Sequence, residues 1–139
     1  GIPDYIVTFR KPGINPEPLD HTHENYSVDH WQQVASPVWD EYPAPVWWNI
    51  NQSATLQRKS ARTEKDEKHI CPLQLPVIER CVELWSKEHE IVLDPFDGIG
   101  STGYQALKMG RRHVGIELKE SYFMQAALNL EAAEQEAQA

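Results

Sequence analysis

The chain has 139 residues, of which 40% are hydrophobic and 24% charged, as in an ordinary globular domain. Its formal net charge of −8 disfavours a protein that coats nucleic acid non-specifically. No apolar run approaches the ~20 residues of a membrane span, and no signal peptide is recognisable.

The first part of the chain is predicted to be poor in regular structure. Tyr5 to Phe9 is β-branched and aromatic, which predicts a short strand. Residues 14–57 are predicted to be irregular, because six of the ten prolines lie between Pro12 and Pro45 and exclude a long helix or a central strand. Four of the five tryptophans also lie here. They favour a loop surface that packs on the core, with stacking on a splayed base as the alternative.

Basic residues concentrate in one short segment. From Arg58 to Lys68 there are five bases against three acids, whereas residues 13–57 contain six acids and no base. Any phosphate contact would therefore come from this segment or from Lys108, Arg111 and Arg112. A solvated connector is the competing interpretation of the segment.

Two amphipathic helices flank the middle of the chain. Pro76 suits a first helical turn, and an apolar residue recurs at i, i+3, i+4 and i+7 after it. That apolar set, with Trp85 as a core residue, is Ile78, Cys81, Val82 and Trp85. A terminal helix is predicted from Glu120 to about Glu136. Its expected apolar face is Phe123, Ala126, Ala127, Leu130 and Ala133.

The stretch between these helices reads as strand, loop, helix and strand. The predicted elements are a strand at Ile91–Leu93, a turn at Asp94–Asp97, a helix from Ser101 to Met109 that stops at Gly110, and a strand at Val114–Leu118. Glycine suits the left-handed position that follows a helix. The order predicts a βαβ unit with two parallel strands.

The loop of this unit carries a nucleotide-type pattern. Gly98 to Gly103 matches G-x-G-x-x-G, and Glu117 follows Gly98 by 19 residues. Glycines allow close backbone approach to a ligand, the helix N-terminus offers N–H groups, and a carboxylate binds ribose hydroxyls. A nicotinamide or flavin dinucleotide site is one interpretation, and a glycine-rich turn without ligand is another.

The turn before the glycines favours a different cofactor. Asp94 to Asp97 separates the strand from the first glycine, whereas a dinucleotide fold runs almost directly into it. A carboxylate at Asp94 suits the ammonium and sulfonium groups of S-adenosylmethionine and repels a pyrophosphate.

The same residues carry a family resemblance. Asp94-Pro95-Phe96-Asp97-Gly98-Ile99-Gly100-Ser101 resembles the D-P-F-x-G-x-G-[ST] motif of the DNA amino-methyltransferases, which modify adenine N6 or cytosine N4. Further stretches similar to phage and prophage members of that family are residues 9–13, 35–39, 66–75, 110–119 and 120–123. The resemblance covers nearly the whole chain. It implies an α/β fold: a Rossmann-like S-adenosylmethionine-dependent methyltransferase core with an incomplete parallel sheet and a loop-rich N-terminal region.

The resemblance also implies roles by position. Residues 58–139 would be the S-adenosylmethionine-binding αβαβα segment, and residues 1–57 a short strand plus a region resembling a target-recognition region. Glu117 would hold the ribose, and Cys71 and Pro72 would contribute from a motif that leads into the first helix. The residues expected to hold the methionine part are Asp94, Pro95, Phe96, Gly98, Gly100, Ser101 and Thr102. No metal site is expected, since the histidines fit no standard spacing.

One family element has no match. The [NDS]-P-P-[YFW] loop that holds the exocyclic amine of a flipped base is absent, and Ser36-Pro37-Val38-Trp39 is the nearest sequence. No catalytic residue is therefore assigned, and the resemblance implies the C-terminal part of a longer enzyme in a permuted motif order.

The implied partners are double-stranded DNA, and a missing catalytic half or a second copy through an exposed sheet edge. The implied location is the cytoplasm of a bacterial host or phage-infected cell. Two alternatives remain: a dinucleotide-binding oxidoreductase domain, and a non-catalytic cofactor- or DNA-binding remnant.

Overall fold

The computed structural model describes residues 5–19, 21–22, 24–35, 47, 49–56 and 72–138. Within these ranges the elements are α1 (Val28–Ala35), α2 (Leu75–Trp85), β1 (Ile91–Asp94), α3 (Ser101–Lys108), β2 (Arg112–Gly115) and α4 (Glu120–Gln138). None of these described helices has the length and apolarity that crossing a membrane requires.

Helix α2 confirms the predicted amphipathic helix. Pro76 lies in its first turn, and Ile78 and Val82 are buried. The helix ends where the backbone N–H of Ser86 donates to the Val82 carbonyl at 3.0 Å. The prediction that Trp85 is a core residue is wrong, because its side chain is 50% exposed. Trp85 occupies the last helical position, beyond the turns that are covered.

The two strands are parallel, as the βαβ pattern predicts. Ile91 pairs with Arg112 and Asp94 with Gly115. The predicted bounds of the second strand, Val114–Leu118, are wrong, since β2 begins at Arg112 and ends at Gly115. Pairing begins early because the Arg112 N–H already donates to the Glu90 carbonyl at 2.8 Å.

Helix α3 is the centre of the fold, since it contacts both strands, α2 and α4. Its predicted stop is confirmed, because Gly110 has a φ of 76° in the left-handed region. The Gly110 N–H donates to the Leu107 carbonyl at 3.0 Å and the Arg111 N–H to the Ala106 carbonyl at 2.9 Å. These two bonds form a Schellman motif, which satisfies carbonyls at the helix end.

Helix α4 packs on α3 along a narrow stripe. Ala126 and Ala133 are buried and Leu130 is half-buried. The predicted apolar face is too wide, because Phe123 is 57% exposed and Ala127 is also exposed. At about 100° per residue, Phe123 and Ala127 lie to one side of the arc that Ala126, Leu130 and Ala133 share, so α3 does not cover them.

Among the described residues, helices cover one side of the sheet. Side chains alternate along a strand, so Val92 and His113 lie on the side of α3. The opposite side, here called the bare sheet face, carries four apolar side chains that are each about half exposed: Ile91, Leu93, Val114 and Ile116. Parallel sheets normally bury both faces.

The N-terminal region departs from its prediction in two ways. Residues 5–10 form no strand, and Tyr5 and Phe9 are exposed, because strand-forming side chains need a neighbouring strand to pair with. The supposedly irregular segment 14–57 contains α1. Its start is capped, since the Ser27 hydroxyl accepts from the His30 N–H at 3.1 Å.

Helix α1 docks on α2 through polar contacts. His30 pairs with Glu83, and the indole N–H of Trp47 donates to the Val34 carbonyl at 3.0 Å. The Arg80 guanidinium lies 5.1 Å from the centroid of the Trp47 ring. Trp47 therefore packs within the loop region, as the first of the two interpretations of the tryptophans expects. Trp39 and Trp48, and the basic segment Arg58–Lys68, lie outside the described residues.

Candidate functional site

The loop after β1 owes its shape to two left-handed glycines. Gly98 and Gly100 have φ values of 57° and 80°, which other residues adopt at a cost. The Gly100 N–H donates to the Asp97 carbonyl at 2.9 Å and closes the turn. A Cβ on Gly100 would lie 3.1 Å from the Ala126 Cβ, so α4 presses directly on this loop.

Asp94 ties the start of this loop to the start of α3. One carboxylate oxygen accepts from the Phe96 N–H at 2.9 Å, and the other accepts from the Thr102 hydroxyl at 2.6 Å. The structure therefore brings together three of the residues predicted for the site. The half-buried Asp94 side chain lies at the carboxyl edge of the sheet.

Glu117 closes the other side of the loop. Its Oε2 accepts from the Gly98 N–H at 2.9 Å, and its Oε1 accepts from the Lys119 N–H at 2.8 Å. The 19-residue spacing read from the sequence thus corresponds to a direct contact. Each carboxylate oxygen has a second lone pair, which remains a place for a ligand hydroxyl.

The N-terminus of α3 completes the loop. Gly100 is the N-cap, and Ser101 at the first helical position is buried. The first N–H groups of a helix lack partners within the helix and can bind a ligand. The Ile99 carbonyl accepts from the Asn129 amide at 2.7 Å, which anchors the loop to α4. No local pattern marks Asn129, because it lies 30 residues further along the chain.

The remaining predicted residues differ in placement. Pro95 and Phe96 are exposed beside the loop, with the Phe96 side chain 89% in solvent. Pro72 is half-buried, three residues before α2 begins. Cys71 lies outside the described residues. The roles assigned to Pro72 and Cys71 therefore stay predictions.

Three bases predicted as candidate phosphate contacts lie at the opposite edge of the sheet. Lys108 pairs with Glu136 at 2.9 Å, Arg111 donates to the Ser86 carbonyl at 2.8 Å, and Arg112 donates to the His89 carbonyl at 2.8 Å. Lys108 thus joins α3 to α4, and the two arginines fasten the turns before β1 and after α3. Their expected contact with phosphate stays a prediction. At the carboxyl edge, by contrast, the carboxylates of Asp94 and Glu117 border the loop, and that of Asp97 is buried beneath it.

A buried histidine–aspartate pair lies beneath the loop and was missed from the sequence. His113 Nε2 lies 3.0 Å from Asp97 Oδ1, and the side chains are only 3% and 6% exposed. Asp97 belongs to the recognised motif, but His113 resembles any strand residue in sequence. The available signal was that strand alternation places His113 on the side of α3.

In the described part of the chain, no three His, Cys, Asp or Glu side chains are grouped so that they could hold a metal ion. Two histidines of the N-terminal region contact an aromatic ring: the rings of His21 and His30 lie 4.3 Å and 4.9 Å from the Tyr26 ring.

Known proteins resemble this chain over most of its length. The profile of the family described as DNA methylase, of the N6/N4 type, matches residues 2–128. The type II methyltransferase M.ScaI of Streptomyces caespitosus is 38% identical over 95 residues, covering 67% of this chain and 30% of that protein. The type II methyltransferase M2.DpnII of Streptococcus pneumoniae is 41% identical over 63 residues, covering 44% of this chain and 24% of that protein.

A solved structure shows a similar match. The putative DNA modification methylase TTHA0409 of Thermus thermophilus, complexed with S-adenosyl-L-methionine, is 33% identical, with a TM-score of 0.44 over 56% of this chain and 36% of that one. The chain spans less than a third of the length of M.ScaI and M2.DpnII. The match to the profile nevertheless extends through both strands and α3, and confirms the resemblance drawn from the motif. The chain belongs to the DNA methylase family.

Proposed function

We propose that this chain supplies the S-adenosylmethionine-binding part of a DNA amino-methyltransferase that modifies adenine N6 or cytosine N4. The observation that carries the proposal is the family match across residues 2–128. The α/β unit and its loop geometry support it. Bound S-adenosylmethionine would supply a methyl group on a positively charged sulfur, which an exocyclic amine can attack.

The charges at the loop favour this cofactor over a dinucleotide. Asp94, Asp97 and Glu117 place three carboxylates at or beneath the loop, and the bases Lys108, Arg111 and Arg112 make contacts at the other edge. Opposite charges attract more strongly where solvent is excluded. A sulfonium and an ammonium suit such a site, whereas a pyrophosphate is repelled by it.

We assign the binding roles as follows. Glu117 would accept hydrogen bonds from ribose hydroxyls through its second lone pairs, beside the donors Gly98 and Lys119. Asp94, Pro95, Phe96, Gly98, Gly100, Ser101 and Thr102 would border the methionine part. The exposed Phe96 ring offers apolar surface for that contact. These assignments, with Cys71 and Pro72, are the residues to test.

Catalysis needs a group that this sequence does not contain. The [NDS]-P-P-[YFW] tetrapeptide is absent from the 139 residues. We therefore expect the chain to bind the cofactor and to leave DNA unmethylated when it is alone. Transfer of a tritiated methyl group from S-adenosylmethionine to double-stranded DNA by this chain would contradict that expectation.

Isothermal titration calorimetry tests the cofactor directly. The wild-type chain is titrated with S-adenosylmethionine, S-adenosylhomocysteine and NADH, and only the first two are expected to bind. Replacing Glu117 by Gln removes the charge that strengthens hydrogen bonds to the ribose, and such bonds contribute about 1.5–3 kcal/mol each. We therefore expect affinity to fall roughly 10-fold or more.

The matched control for this variant is Glu131→Gln, an exposed acid on α4. Equal affinities in the two variants would refute the role of Glu117. Tight binding of NADH without binding of S-adenosylmethionine would refute the proposed cofactor and favour an oxidoreductase domain.

We further propose that the chain acts on double-stranded DNA together with a second polypeptide that carries the catalytic loop, and that it can also pair with another copy of itself. The location that follows is the cytoplasm of a bacterial host or phage-infected cell. The half-exposed apolar side chains of the bare sheet face support the need for a partner. Sedimentation velocity over a hundredfold range of protein concentration tests self-association. A monomer at every concentration would refute self-association and leave the chain with the catalytic loop as the proposed partner.

A further inference from the structure

The buried pair His113–Asp97 connects two parts of the proposed cofactor site. His113 lies in β2, opposite Val92 in the sheet register, and Asp97 lies in the loop after β1. The pair spans 16 residues of sequence with a 3.0 Å contact between Nε2 and Oδ1. A buried carboxylate is costly unless it accepts hydrogen bonds, so this contact constrains the loop.

Two glycines make the space that the pair occupies. A Cβ on Gly103 of α3 would lie 2.4 Å from the His113 ring. A Cβ on Gly115 of β2 would lie 2.2 Å from the second oxygen of Asp97. Neither distance is sterically possible, so α3 and β2 accommodate the pair only because both positions lack a side chain. The third glycine of G-x-G-x-x-G therefore makes room for the histidine ring, and also for Leu130 of α4, whose Cδ2 would lie 2.5 Å from the same Cβ.

The hydrogen bonds of His113 show which ring nitrogen carries the hydrogen that is donated to Asp97. His113 Nδ1 is buried and has no hydrogen-bond partner among the described residues. Since a carboxylate only accepts hydrogen bonds, the donor to Asp97 is Nε2–H. The ring is thus held by a single bond, and the Asp97 carboxylate depends on that bond.

Backbone hydrogen bonds at Asp97 and Gly98 set the distance between the loop and Glu117, the acid proposed to bind the ribose. The Asp97 N–H donates to the Ile116 carbonyl at 3.0 Å, and the next N–H, of Gly98, donates to the Glu117 carboxylate at 2.9 Å. Three successive contacts therefore join the loop to the end of β2: one through the Asp97 side chain and two through backbone N–H groups.

We propose that His113 is a positioning residue for the cofactor loop: by holding Asp97, it keeps Gly98 and Glu117 at the separation that the cofactor requires. This inference rests on the proposed function, since it concerns the same loop. His113 touches no cofactor itself and acts only through Asp97.

The test compares variants that keep or remove the donor. His113→Gln retains an amide donor, whereas His113→Phe retains a ring without one. Val114→Ala, on the bare sheet face of the same strand, is the matched control. We expect His113→Phe to weaken S-adenosylmethionine binding about 10- to 30-fold, and His113→Gln and Val114→Ala to stay within about 3-fold of wild type. Isothermal titration calorimetry measures each affinity.

A second readout needs no cofactor. Amide hydrogen exchange of Gly98 is expected to speed up about 10-fold or more in His113→Phe, with Ala133 of α4 unchanged. Should His113→Phe fail to fold, His113→Phe/Asp97→Asn takes its place, because it removes the buried charge left without a partner. Equal acceleration at Gly98 and Ala133 would show ordinary core packing and overturn the proposal.

The two proposals fail in different ways. If the wild-type chain binds no S-adenosylmethionine, the proposed function is overturned. The rate of amide hydrogen exchange at Gly98 would then be the measurement that decides whether His113 holds the loop. Wild-type binding with unchanged affinity in His113→Phe would overturn the positioning role and leave the proposed function standing.

Discussion

Replacing Gly100 by Ala isolates the effect of the close contact between the loop and α4. The substitution adds a methyl group at a residue with a φ of 80°, where the new Cβ would lie 3.1 Å from the Ala126 Cβ and 3.2 Å from its Cα. The loop then has to move away from α4, or α4 from α3, and either movement loses packing.

The magnitude follows from two separate costs. A left-handed conformation costs a non-glycine residue roughly 1–2 kcal/mol, and overpacking costs about 1–3 kcal/mol more. Gly98→Ala is the matched control, because Gly98 has a φ of 57° but nothing closer to its Cβ position than 4.0 Å. We therefore expect a loss of about 1–2 kcal/mol for Gly98→Ala and roughly 2–5 kcal/mol for Gly100→Ala.

Urea unfolding followed by circular dichroism measures both losses, with all variants in the same osmolyte-stabilised buffer. The double variant Gly100→Ala/Ala126→Gly removes the methyl group on the other side of the contact, and is expected to recover part of the overpacking cost. If Gly100→Ala lowers the free energy of unfolding by no more than Gly98→Ala does, the contact with α4 is not the reason for glycine at position 100.

Two further predictions concern other parts of the molecule. Burial and the nearby Glu83 carboxylate raise the pKa of Tyr26 to about 12. The neutral Tyr26 hydroxyl therefore contributes fully to stability below pH 10, and this contribution is lost between pH 10 and 12. Absorbance at about 295 nm should show Tyr26 ionising at a higher pH than a free tyrosine, and Glu83→Gln should lower that pH. On the bare sheet face, Leu93→Lys should reduce any concentration dependence of sedimentation. Leu128→Lys, at an exposed position of α4, should not; identical profiles would exclude this face as the contact.

The βαβ unit could be predicted well because its signals are local. The turn residues at Asp94 and Gly110 and the apolar run of β1 each restrict the backbone without help from distant residues. The contact between Glu117 and Gly98 was also foreseeable, since two parallel strands joined by one short helix bring their carboxyl ends together. Family motifs added the identity of the cofactor, which composition alone does not carry.

The errors occurred where packing decides the outcome. Tyr5 to Phe9 has strand-forming side chains, but no neighbouring strand pairs with them among the described residues. Trp85 of α2 and Phe123 of α4 fit the apolar periodicity of their helices, but they lie outside the surfaces that α3 covers. His113 and Asn129 contact loop residues that are 16 and 30 positions away in the sequence, and no local sequence pattern predicts such contacts.

A partner that covers the bare sheet face, as proposed above, would link the folding of this chain to the concentration of that partner. A partner that binds only the folded chain stabilises it by RT ln(1 + [L]/Kd), or about 2.7 kcal/mol at a hundredfold excess over Kd. The buried apolar side chains of the described part are small in number and include three alanines: Val34, Ile78, Val82, Ile99, Ala106, Ala126 and Ala133. An increment of that size would be a large fraction of the stability of such a core. Mass action would then make the folded population, and with it the cofactor site, follow the supply of partner.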